Sequence, residues 1–185
     1  MLTAKWIDRD FIQQYKQIAK TGFDQKIDEL IIEAQFLDLK PLLGERLYDD
    51  INSNTSNYTF LFEGGTYDYE GQSYVNEGLK VVTVFYFYSR YSFYGSNTDT
   101  PFGSVLKLNG DKSQPLSTEM KKSAYKKNKD FAFNVWRSVE NYLIRTENPL
   151  FKNGCTNKRQ NIRFSVISND NNKQHRRGYL RDRRY

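Results

Sequence analysis

One histidine and one cysteine set the limits on the chemistry this chain can do. His175 stands beside Arg176 and Arg177 in a basic stretch, so a Ser-His-Asp or Cys-His relay would have to be assembled from a polar tail. Cys155, in FKNGCTNK, has no histidine near it in sequence, and an inert thiol fits it better than a nucleophile. A lone cysteine also excludes an intrachain disulfide and a cysteine-built zinc site. Carboxylates recur as Asp28-Glu29, Asp49-Asp50 and Asp68 with Glu70. Adjacent side chains on a helix point about 100° apart, which makes the first two pairs poor metal clamps. Asp68 and Glu70 would share a strand face, as in metal-dependent nucleases, but the lysine such sites place beside their acids is missing. Gly64-Gly65 lacks the Lys and Ser/Thr of a phosphate loop. The chain therefore reads as a non-enzyme, with no cofactor and no metal.

The elements that would position any site begin with residues 8–18, where Phe11, Ile12, Tyr15 and Ile18 follow a possible cap at Asp8. From 24 to 51 the pattern is the clearest in the chain. Ile27, Leu30, Ile31, Ala34 and Leu37 fall at helical spacing behind a plausible N-cap at Asp24. Pro41 has no N–H and disfavours α geometry before it, so the helix is expected to stop or bend at 38–40 and restart with Pro41 in a first turn. The second helix would bury Leu42, Leu43, Leu47 and Ile51 and turn Glu45, Arg46, Asp49 and Asp50 outward.

Residues 52–57, NSNTSN, read as a surface loop. Glycines punctuate 63–78, and Thr66, Tyr67, Tyr69, Tyr74 and Val75 predict a hairpin turning at Glu70-Gly71, inserted in a helical body. Its tyrosines Tyr67, Tyr69 and Tyr74 are candidate contact residues. Residues 79–94 are apolar or aromatic almost all round and, having no internal turn signal, are read as a helix packed on most sides. A long loop pinned by Phe102 is expected over 97–115, then a helix of roughly 28 residues capped at Ser117 or Thr118. Its buried face is expected to run through Met120, Ala124, Phe131, Val135, Val139 and Tyr142, with Trp136 and Leu143 flanking. Its first half carries Lys121, Lys122, Lys126, Lys127 and Lys129, a solvated face or an anion-facing one.

Residues 151–185 hold ten Lys and Arg against two Asp, within a chain of formal charge +6, so the body is near neutral and the arm basic. One strand, with Ile162, Phe164 and Val166 on a face, precedes a tail too polar to fold alone. The expected organisation is a helical domain over 1–150 and an extended arm over 151–185. It is mainly α: a bundle of four to five helices with a β-hairpin and a C-terminal strand. No run of 18 apolar residues and no apolar leader is present, so neither a membrane span nor a signal peptide is expected.

Three strings, EAQFLDLKPLLGERLYDDI, GGTYDYEGQSYVNEGLK and TPFGSVLK, stand in this order between residues 33 and 107. Together they resemble the head–tail connector, or ring, proteins of crAss-like and related tailed bacteriophages, over roughly residues 5–145. The resemblance implies a structural virion protein at the head–tail junction, assembled in the host cytoplasm. Copies, often twelve, would form a ring under the portal and extend the DNA channel toward the tail. Related connectors grip the portal with a C-terminal arm, although the last 35 residues here lie outside the resemblance. On that reading the arm would engage the portal or a neighbouring ring or tail protein. Ile162, Phe164 and Val166 would serve as apolar anchors, Arg176, Arg177, Arg181, Arg183 and Arg184 would pair with acidic groups, and Tyr179, Leu180 and Tyr185 would join them in binding the partner. Lys121, Lys122, Lys126 and Lys129 would face channel DNA through weak, non-specific contacts. The alternative reading is a nucleic-acid-binding accessory protein using the same tail and lysines.

Overall fold

The computed structural model describes residues 4–18, 24–95, 97–100, 103–106 and 116–151. Contacts along the chain divide it into Met1–Cys155 and Thr156–Tyr185, and the described residues all belong to the first unit. It is mainly helical, as the periodicity predicts, with an antiparallel hairpin set into it.

Helix α1 (Arg9–Tyr15) starts where Asp8 accepts the Phe11 N–H at 2.9 Å. Helix α2 (Asp24–Glu33) then runs into a π-helical segment, Ala34–Leu39, and without interruption into α3 (Lys40–Leu43). Of the expected stop or bend at 38–40, the stop does not occur, while Pro41 does stand in the first turn of the next α-helical segment. Pro41 cannot donate and its ring crowds the preceding turn, and the chain answers by widening that turn, not by ending. The Lys40 N–H reaches back five residues to the Gln35 carbonyl. The break comes at Gly44, whose φ of 79° is open to glycine at little cost, and α4 (Glu45–Ser53) follows.

The widened turn also changes which residues face inward. Leu37, expected in the core, is 53% exposed, and Phe36 beside it is 52% exposed. Gln35 and Asp38 are buried in their place. Gln35 compensates by bonding the extended N-terminal segment twice, accepting from the Trp6 N–H at 3.1 Å and donating to the Ala4 carbonyl at 3.0 Å. Trp6 in turn packs its ring on Tyr48 and edge-on to Phe62.

The expected 52–57 loop is largely helical. After α4 a 3₁₀ turn spans Thr55–Tyr58 and α5 covers Thr59–Glu63. Strands β1 (Gly65–Tyr69) and β2 (Gln72–Asn76) pair with Tyr67 opposite Tyr74. Glu70 and Gly71 turn between them with φ of 51° and 76°, the paired positive values of a type I′ turn. Helix α6 (Leu79–Tyr94) is the central element, with Leu79, Val82, Val84, Tyr86 and Phe87 all buried. Its buried hydroxyls are satisfied within the helix, Thr83 donating to Leu79 and Ser89 to Tyr86. A short ladder of β3 (Asn97–Thr100) and β4 (Gly103–Leu106) replaces part of the expected 97–115 loop. Phe102 lies outside the described residues.

Helix α7 (Thr118–Arg145), capped by Ser117, packs along α6. Its buried residues are Asn128, Ala132, Trp136, Val139 and Leu143. The expected face through Met120 and Phe131 is therefore corrected: Met120 is 58% and Phe131 43% exposed. Asn128 makes the difference, since a polar residue sits in the stripe, held by its bond to the Ala124 carbonyl and by the Lys16 amine at 3.2 Å.

Candidate functional site

Two constellations of charged and aromatic side chains stand out. The first lies where the π-helical turn meets α6 and α7. Asp38, on the inner side of that turn, is 7% exposed. Its Oδ2 accepts from Arg90 Nε at 2.9 Å, with Nη2 at 2.8 Å. Lys129 Nζ of α7 stands 3.2 Å from its Oδ1, and Arg90 Nη1 reaches Glu33 at 3.2 Å. Burial alone would depress the Lys129 ammonium, but the Asp38 carboxylate and the nearby Tyr125 outweigh it and hold the amine above its ordinary value. The Tyr86 hydroxyl is pushed up first by burial and then by Asp38. Both oxygens of Asp38 are thus engaged by cations, which suits a joint between three elements and not a proton-transfer group.

On the same flank, the Lys16 amine lies over the rings of Phe85 and Tyr88 at 4.8 and 4.9 Å. Burial, followed by the charge of Lys127, lowers its pKa. Among the described residues no group of three His, Cys, Asp or Glu is placed to hold a metal ion. Asp68 accepts from Ser73 across the hairpin, and Tyr69 is held above its ordinary pKa by the neighbouring Glu70.

The second constellation joins the hairpin to α7. Arg145 lays its guanidinium 3.6 Å from the Tyr74 ring centroid and donates from Nη1 to the Tyr67 hydroxyl at 3.0 Å. Tyr67 meets the edge of Tyr142, which also packs on Phe60. The Glu77 N–H donates to Ser138 Oγ at 3.1 Å. Tyr67, Tyr69 and Tyr74, singled out in the sequence as contact residues, therefore line up along Arg145, while Val75 on the other side of the strand is 56% exposed.

The α7 lysines are divided. Lys129 is turned to Asp38, whereas Lys122, Lys126 and Lys127 are exposed. The arm residues Ile162, Phe164, Val166, Arg176, Arg177, Tyr179, Leu180, Arg181, Arg183, Arg184 and Tyr185 lie outside the described residues, as do His175 and Cys155. Arg145, Phe36 and Leu37 were not foreseen as site residues. The signal for Arg145 was its place one helical turn after Tyr142; for Phe36 and Leu37 there was none, because an α-helical count puts Leu37 inside.

A mainly helical body with a braced hairpin and a charged joint at a π-helical turn is the class these features define. The chain belongs to a family of unknown function (DUF6712), which matches residues 39–161. No curated protein and no solved structure matches it. No helix among the described residues is long and apolar enough to cross a membrane.

Proposed function

We propose that this protein is a structural subunit of an oligomeric ring between the portal and tail of a tailed bacteriophage, extending the DNA channel. The observation that carries the reading is the set of three strings at residues 33–51, 64–80 and 100–107, which resemble those of connector proteins. The geometry supports it by what it does with those strings. The first builds the π-helical turn with Phe36 and Leu37 outside. The second builds a hairpin held at a fixed angle on α7 by Arg145, leaving an outer face for a neighbour. Twelve copies is the number expected from the resemblance, and the basic arm engages the portal or an adjacent ring subunit. Deleting residues 160–185 should leave a folded body that no longer joins portal complexes. Full incorporation of the truncated chain would remove the arm's role, and particles whose head–tail junction lacks this protein by electron microscopy would remove the reading.

A second reading is favoured by Lys122, Lys126 and Lys127, all exposed on α7. They suit non-specific contact with nucleic acid phosphates. Binding of duplex DNA that weakens steeply with salt would support it.

A further inference from the structure

The outer side of the π-helical turn is chemically unusual. Phe36 and Leu37 are neighbours in sequence and both more than half exposed. The Lys40 amine lies 5.3 Å from the Phe36 ring centroid, 3.7 Å from Glu45 and 3.9 Å from Asp49, so aromatic ring and carboxylates share one patch. The Glu45 and Asp49 side chains are 79% and 63% exposed. Their distances to Lys40 exceed the roughly 2.7–2.9 Å of a charge-assisted hydrogen bond, which leaves both carboxylates with acceptor capacity. The wider segment, residues 24–53, has eight Asp and Glu against three Lys and Arg (Lys26, Lys40 and Arg46).

The complement is in the same sequence. Residues 152–185 hold ten Lys and Arg against two Asp, and end in RRGYLRDRRY, where arginines alternate with Tyr179, Leu180 and Tyr185. Guanidinium groups match carboxylates in pairs and stack on aromatic faces, which is what Glu45, Asp49 and Phe36 present. These residues follow Phe151, which is anchored against Trp136. Thirty-four residues span up to roughly 110 Å when extended, enough to cross to a neighbouring subunit.

We infer that the acidic and apolar patch formed by Phe36, Leu37, Glu45 and Asp49 is the docking site for the arginine-rich C-terminal segment of a second copy of this chain. The inference rests on the ring reading, which supplies the second copy. A contact of one surface with a different surface of the next copy is heterologous, and such contacts close into rings or run on as filaments.

The test uses the full chain. Sedimentation velocity across a concentration series compares the wild type with Glu45→Lys/Asp49→Lys, with Arg183→Glu/Arg184→Glu, and with the four changes combined in one chain. Each pair should weaken self-association by about tenfold or more, and the combination should recover most of the loss, because the reversed charges again meet as opposites. Circular dichroism of each variant checks that it is folded. Separately, in a Cys155→Ser background, a chain with Leu37→Cys is mixed with one carrying Tyr185→Cys, and an interchain disulfide is expected under mild oxidation. A monomeric wild type, association indifferent to Glu45→Lys/Asp49→Lys, a combined variant no better than its parents, or no interchain crosslink would each overturn the inference. An oligomer that persists through those changes overturns the docking site alone, whereas absence of the protein from the head–tail junction overturns the ring reading.

Discussion

Arg90 and Asp38, 52 residues apart in sequence, meet in the interior with Nε 2.9 Å and Nη2 2.8 Å from the same carboxylate oxygen. Their bond ties the C-terminal part of α6 to the π-helical turn, and Lys129 brings α7 to the other oxygen. A buried pair of this kind is costly to break from one side, because the partner is left charged and unmatched.

Replacing Asp38 by Asn should therefore lower the unfolding free energy by about 3–5 kcal/mol in urea titrations. The double change Asp38→Leu/Arg90→Met should recover most of that, since Glu33 and Lys129 keep exposed side chains that water can serve. A double variant as unstable as the single one would show that the pair contributes more than charge balance.

The hairpin's attitude on α7 depends on Arg145. Arg145→Ala removes both the stacking on Tyr74 and the bond to Tyr67, and should open the Glu70–Gly71 tip to limited proteolysis while the helical body stays folded. Arg145→Lys should restore little of the protection, because an ammonium lacks the planar fork.

Glu70 holds a φ of 51° at the first central position of the type I′ turn, where Asn is preferred. Glu70→Asn should raise stability by about 0.5–1 kcal/mol in thermal or urea unfolding. Gly71→Val should lower it, because the φ of 76° at the second position is strained for a branched side chain.

Stability should also fall in alkali through Tyr58. Burial and the hydrogen bond to Asp50 push its hydroxyl up to about 12, against 10.0 for a free tyrosine. Between these values the folded state keeps a proton that the unfolded chain has released, so unfolding becomes easier as pH rises. Tyr86 and Tyr142, raised chiefly by burial, act in the same direction. Tyr58→Phe should make the alkaline fall shallower in unfolding curves collected from pH 9 upward.

The helical core could be read from periodicity wherever the helices are α-helical and their buried stripes apolar. Asp8 and Ser117 cap as their positions suggest, the hairpin turns at Glu70-Gly71, and residues 79–94 form one buried helix. The reading failed where one of those conditions lapsed. At Ala34–Leu39 the turn is wider than 3.6 residues, so Leu37 and Asp38 exchange sides. On α7 the stripe includes Asn128, a position that an apolar count passes over. The charged joint was not visible for the same reason: Asp38 faces Arg90 and Lys129 only once the widened turn has rotated it inward.

The two ends of the β1–β2 hairpin meet at Gly64 and Gly78, which approach so closely that a Cβ built on either would come within 2.9 Å of the other's backbone nitrogen. Asn76 secures the junction, donating to the Phe60 carbonyl and accepting from the Gly78 N–H. The body therefore enters and leaves the hairpin at practically one point, so the loop between is topologically a detachable module. Changes beyond Tyr67 and Tyr74, toward the Glu70–Gly71 tip, leave both this junction and the contacts to Arg145 and Tyr142 in place. Side chains on the hairpin's outer face, Val75 among them, can therefore change without disturbing the core.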